Sequence, residues 1–143
     1  MEAHKLASKS EVEQQILAAP ESEYMNHEQL EFFKQRLIDL HDSTKQRIIE
    51  AKAQMRDRPE MSDDSDIATW EEQCAISLRI LDREQKLLPK IQQSLERIRT
   101  GDYGYCLESG EPIGIGRLLA RPTAEFCIGV KDISEFKERV YRD

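Results

Sequence analysis

The chain has 143 residues and a formal charge of −7, with 34% charged against 38% hydrophobic side chains. Such acidity excludes sequence-independent binding to a DNA backbone, which needs clustered Lys and Arg, and so points to a protein partner. The thin apolar share excludes a large globular core and favours an elongated helical protein.

No 18-residue apolar run offers a membrane span, and residues 1–10 hold no apolar run that would read as a secretory signal. Three cysteines in such a chain read as cytosolic thiols, so a cytoplasmic protein is expected.

Residues 1–25 read as a weakly ordered lead-in with one short helix around Glu11–Ala18, ending before Pro20. A clear helix start follows. Asn26 is the cap, Gln29 stands at the third helical position, and Met25 with Leu30 forms a hydrophobic staple. From there Leu30, Phe33, Leu37, Leu40, Thr44, Ile48, Ala51 and Met55 recur at steps of three and four, which is a heptad seam.

The pattern stops at residues 58–66, where Pro, Ser and Asp are turn and cap residues. A second seam resumes with Trp70, Cys74, Ser77, Leu81, Glu84, Leu88, Ile91, Leu95 and Ile98, and Gly101 falls where a left-handed C-terminal cap is expected. Two seams of matched length joined by a short loop predict a mainly α protein built on a long antiparallel coiled-coil hairpin. It spans residues 26–100, has its tip at 58–67, and is on the order of 45–50 Å long. A bundle of four broken helices is the alternative, but no further helices are available to cover the seams. Pro89 interrupts the second seam at a cost of about 3 kcal/mol in an isolated helix interior, so a kink or bulge is expected near Gln85–Pro89. The seam resumes in phase at Ile91, so the helix itself should continue.

Residues 101–143 form the last part, a small Gly- and Pro-rich module followed by a helix. Asp132 caps that helix, Glu135 is its third residue, and Phe136 and Val140 are its apolar stripe. Within the module, Cys106-Leu-Glu-Ser109 and Cys127-Ile-Gly-Val130 would become a paired CxxC zinc signature if positions 109 and 130 were cysteine. Only Cys106 and Cys127 can give thiolates. Ser109 is a poor ligand, Val130 is none, and no histidine lies in 101–143. The reading is a degenerate, ribbon-like module without metal, whose core is Tyr103, Tyr105, Ile113, Ile115, Leu118, Phe126 and the stripe of the last helix. Val130 would fill the space of a missing metal and sulfur. A reduced Cys106–Cys127 pair is the expected state, with a disulfide or weak zinc left open.

Several charged clusters remain. Asp63, Asp64 and Asp66 sit at the N-terminus of the second helix, where acids favour the helix dipole by around 0.3–1 kcal/mol each. They also lie at the far end of a hairpin, where no core needs them. Arg79, Arg83, Lys86 and Lys90 recur at steps of four, three and four on the face away from the seam, which suits an anionic ligand or an acidic partner. Arg121 and Lys131 flank Cys127. The three histidines read as surface residues and Cys74 as a small core residue. No nucleophile elbow, phosphate loop or metal-binding histidine pair is present, so no enzyme is expected.

Tyr103-Gly-Tyr-Cys106, Gly114-Ile-Gly-Arg-Leu-Leu-Ala-Arg-Pro-Thr-Ala124 and Cys127 resemble the DksA/TraR family of bacterial RNA polymerase regulators. Asp63-Asp64-Ser65-Asp66-Ile67-Ala68 is similar to that family's DxxDxA tip motif, and the resemblance covers about residues 24–140. It implies a monomer whose hairpin enters the secondary channel of RNA polymerase, with Asp63, Asp66 and Ala68 acting near the polymerase active site. It implies that Leu87, Lys90, Arg121 and Lys131 help to bind guanosine tetraphosphate, with Arg79, Arg83 and Lys86 as a supporting basic face. The expected function is allosteric control of open-complex stability at ribosomal RNA and other promoters, without DNA contact. A transcript-cleavage stimulator like the Gre factors and a plain coiled-coil adaptor are the alternatives.

Overall fold

The computed structural model describes residues 11–56, 60 and 63–129. Two long helices dominate: α1 is His27–Arg56, α2 is Asp64–Thr100, and a short α3 is Ile115–Ala120. Residues 11–18 are helical as expected, and a 3₁₀ turn follows at Glu21–Glu23. Among the described residues there is no sheet, only a single antiparallel bridge between Tyr105 and Pro112. No described helix is long and apolar enough to cross a membrane. The chain divides into two compact units, Leu37–Gln93 on one side and Met1–Arg36 with Ser94–Asp143 on the other.

The start of α1 is fixed by side chains. Asn26 Oδ1 accepts the Gln29 N–H at 2.9 Å, and Gln29 Oε1 reaches back to the Met25 N–H at 2.7 Å. Two donors that a helix end would leave unpaired are thereby satisfied. At its other end α2 closes in a Schellman turn. Gly101 has φ +86° and its N–H meets Ile98 O at 3.3 Å, while the Asp102 N–H meets Arg97 O at 2.9 Å. Glycine tolerates that left-handed conformation without steric penalty.

In the unit Leu37–Gln93 the helices run antiparallel. Arg47 on α1 meets Glu84 on α2, and Gln54, further along α1, meets Gln73, further back on α2. The seam of α1 is buried as expected at Leu37, Thr44, Ile48 and Ala51. On α2 the deepest positions of this unit are Ser77, Glu84 and Ile91, at heptad spacing. Trp70, Cys74, Leu81 and Leu88, expected in the second seam, are only half-buried. The helix continues unbroken through Pro89, which is exposed.

In the other unit, residues 11–25 of the expected loose lead-in are anchored. Ile16 and Met25 are buried, and Glu13 pairs with Arg36 at 2.6 Å. Phe33 and Tyr103 pack ring to ring with centroids 5.7 Å apart. The Tyr24 hydroxyl donates to Gly104 O and accepts the Gly114 N–H at 3.0 Å, and its ring stands edge-on to Tyr105. Of the expected module core, Tyr103, Ile113 and Leu118 are buried, while Tyr105, Ile115 and Phe126 are half-buried. Ala124 and Cys106 join them. On α2, Ser94 rather than Leu95 is the buried residue. The expected last helix, with Val130, Asp132, Glu135, Phe136 and Val140, lies outside the described residues.

Candidate functional site

Three groups of residues could carry function, beginning with the acids before α2. Asp63 is the cap of that helix: its Oδ1 accepts the Ser65 N–H at 3.1 Å, and its carbonyl accepts the N–H groups of Asp66 and Ile67, both at 3.1 Å. Asp64, Asp66 and Ala68 are exposed. The Asp66 carboxylate makes no hydrogen bond or ion pair with a described residue. The two acids of the motif therefore differ: one is engaged by the fold, the other is available. Of the tip, residues 57–59, 61 and 62 lie outside the described residues.

The second group is the basic face of α2. Arg79, Arg83, Lys86 and Lys90 are all exposed, and Leu87 is half-buried beside them. The stripe is not free of acids, however. Lys86 Nζ sits 3.0 Å from Asp82, and Arg83 Nη2 sits 3.4 Å from Glu84 Oε1. The Lys86–Asp82 pair is exposed on both sides and of a kind worth about 0–1 kcal/mol, so an anionic partner can displace it. Arg79 and Lys90 have no acidic partner among the described residues. Sequence reading missed Glu84 as an ionic centre. Its side chain is only 4% exposed, and Arg47 Nε reaches it from α1 at 3.2 Å. An acid at a seam position was the available signal.

The third group is the module around Cys106. Backbone bonds from Cys106 N–H to Glu111 O (2.8 Å) and from Gly110 N–H to Cys106 O (2.9 Å) close a tight knuckle. The Ser109 N–H points at Cys106 Sγ at 3.5 Å, and Ser109 Oγ lies 3.8 Å from Cys127 Sγ. Burial alone would push the Cys106 thiol up, but the Ser109 hydroxyl and the N–H groups of Ser109, Cys127 and Glu108 together pull it down to about 6. The knuckle thus keeps a cradle for sulfur.

Arg97 supports the module from α2, its Nη2 donating to Asp102 O at 3.1 Å and Tyr105 O at 2.5 Å. All three cysteines are free thiols. Among the described residues no three His, Cys, Asp or Glu side chains are grouped to hold a metal. Two thiols and a neutral hydroxyl do not fit a structural zinc centre, which takes four N or S ligands. Arg121 is exposed, and Lys131 lies outside the described residues.

The chain thus combines a capped helical hairpin with a cysteine knuckle module, and comparison with known proteins places that combination. Residues 29–98 match the family model for the DnaK suppressor protein DksA N-terminal domain, and residues 101–136 match the prokaryotic dksA/traR C4-type zinc finger. The RNA polymerase-binding transcription factor DksA of Caulobacter vibrioides is 42% identical over 121 residues, covering 84% of this chain and 85% of its own length. That of Escherichia coli K12 is 38% identical over 121 residues, 84% of this chain and 80% of its own. Among solved structures, transcription factor DksA2 from Pseudomonas aeruginosa matches with a TM-score of 0.76 and 46% identity, covering 89% of this chain and 98% of that one. The chain belongs to the DksA/TraR family. These relatives are named as transcription factors, not as enzymes, in line with the reading of the sequence as a non-enzyme.

Proposed function

We propose that this chain is a cytoplasmic regulator that binds bacterial RNA polymerase and modulates transcription initiation. The hairpin enters the secondary channel, and Asp63, Asp66 and Ala68 act near the polymerase active site without contact to DNA. The observation that carries this reading is the exposed, unengaged Asp66 at the helix start capped by Asp63, in a chain whose relatives are named for binding RNA polymerase. The protein does no chemistry. It biases a short-lived open complex toward collapse, and guanosine tetraphosphate strengthens that bias.

In vitro transcription from a ribosomal RNA promoter, with and without protein and alarmone, tests the reading: transcript should fall with protein alone and fall further with both. No change in either arm overturns it. Stimulated cleavage of a backtracked complex would instead assign the chain to the Gre-like class.

Leu87, Lys90, Arg121 and Lys131 are the proposed alarmone contacts, with Arg79, Arg83 and Lys86 in support. Cationic side chains from more than one element suit a ligand with two pyrophosphate groups. Lys90→Ala and Arg121→Ala should each weaken the alarmone-dependent part of the inhibition by about tenfold in effective alarmone concentration, as expected for loss of a charge-assisted contact of roughly 1.5–3 kcal/mol. The alarmone-free inhibition should change much less. Equal loss of both parts would point to general docking.

We further propose that the C4-type module has become metal-independent here, with Ser109 and Val130 in place of two thiolates. Elemental analysis of the purified protein should find well under one zinc per chain, and helicity should survive a chelator. Stoichiometric zinc, or unfolding on chelation, would overturn this.

A further inference from the structure

A groove of about 440 Å³ lies between α1 and α2 in the unit Leu37–Gln93. It exists because two facing seam residues are small. Ala51 and Ser77 are both buried, and neither fills the space between the helices. Ile76 and Ile80 form the apolar wall, and Ile76 is 50% exposed, far more than a packed core residue. A hydrogen bond from Gln54 to Gln73 at 3.1 Å joins the helices beside it.

Arg47 and Arg83 also line the groove. Both are held by one buried anchor, with Arg47 Nε 3.2 Å and Arg83 Nη2 3.4 Å from Glu84 Oε1. Arg47 Nη2 is steadied further by Thr44 Oγ1 at 3.4 Å. Two cations with restrained heads thus stand beside a half-exposed aliphatic wall. A scattered exposed aliphatic needs no explanation, and Ile49 and Leu78, 60% and 56% exposed, are of that kind because neither lines the groove. Ile76 differs because it belongs to a concave, charge-bordered site.

We propose that this groove is a docking contact for RNA polymerase in addition to the tip. It takes an aliphatic side chain of a polymerase segment against Ile76 and Ile80, while a carboxylate of the same segment is held by Arg47 and Arg83. The inference rests on the reading that the chain binds polymerase. A nucleic acid backbone is a poor occupant, since it offers no aliphatic side chain to Ile76 and Ile80 and would bring a run of phosphates past Glu50. An acidic, apolar protein segment matches both halves of the lining.

The test is affinity for bacterial RNA polymerase core enzyme, measured with four variants whose helicity is checked by circular dichroism. Ile76→Glu places a carboxylate where the partner's aliphatic side chain should sit, and is expected to weaken binding by about tenfold or more, as at an interface anchor. Ile76→Ala should weaken it by about threefold, through lost apolar burial alone. Leu78→Glu and Ile49→Glu carry the same change at equally exposed positions and should bind within about twofold of the unchanged protein, as residues outside a contact do. Unaltered binding by Ile76→Glu, or equal losses at all three positions, overturns the groove while leaving polymerase binding intact. Failure of the unchanged protein to bind overturns both readings together.

Discussion

Gly104→Ala should lower the melting temperature by about 10 °C, corresponding to a loss of roughly 3 kcal/mol in a chain of this size. Two costs combine. Gly104 has φ +93°, a conformation that costs a residue with a side chain roughly 1–2 kcal/mol. An added Cβ would also stand 2.8 Å from Met25 Cγ and 2.9 Å from Met25 Sδ, closer than such atoms approach. Met25 cannot simply turn aside, because it is buried, sits at φ +54°, and donates its N–H to Gln29. A shift of residue 104 would also strain the bond from the Tyr24 hydroxyl to its carbonyl. Gly110→Ala is the matched control. It has φ +72° with nothing within 4 Å of the added atom, so only the conformational cost applies. Thermal melts of the two variants separate the effects, and equal shifts would refute the steric argument.

The second large effect is expected at the tip. Under the proposed function, Asp66→Asn should abolish inhibition of a ribosomal RNA promoter while leaving polymerase affinity within about threefold, since a single tip carboxylate is one of many contacts. The fold should tolerate the change. Asp66 is exposed and unengaged, so it loses only a favourable placement near the N-terminus of α2, about 0.3–1 kcal/mol. Asp63 is a less clean probe, because removing its carboxylate also removes the cap on the Ser65 N–H, at a cost of about 1 kcal/mol. Transcription and binding measured on one preparation decide the matter. Normal inhibition by Asp66→Asn would mean that the tip acids serve the helix alone.

The hairpin was legible because its signals are local and repeated. Heptad spacing placed Phe33, Leu37, Thr44, Ile48 and Ala51 inside, and Asn26, Gln29 and Gly101 marked ends that hydrogen bonds confirm. Half-burial at Leu81, Leu88 and Leu95 was harder to foresee. Ser77, Glu84 and Ile91 keep one heptad position buried, whereas Leu81, Leu88 and Leu95 share the other position and are half-buried throughout, a difference that apolar spacing does not encode. The long-range contacts of Tyr24 and Met25 escape the sequence for another reason. Their partners, Gly104 and Gly114, lie some eighty to ninety residues away, and no periodicity encodes a bond of that kind.

At the candidate site, the exposure of Arg79, Arg83, Lys86 and Lys90 followed from their spacing. The pairing of Lys86 with Asp82 and of Arg83 with Glu84 did not, since neither acid falls on the spacing of the stripe. Nor did spacing reveal the groove, which depends on two small residues meeting from different helices.

The polar middle of the seam has a thermodynamic consequence. Thr44, Ser77 and Glu84 occupy positions where a coiled coil ordinarily buries aliphatic groups. Unfolding this stretch therefore exposes less apolar surface than an all-aliphatic seam would, and apolar exposure is what makes the heat capacity of unfolding large and positive. Its stability curve should be correspondingly flatter. Hairpin stability there changes gently from cool to warm conditions, so a regulator built this way can hold the shape of that unit across a broad span of growth temperatures without a high maximum at any one of them.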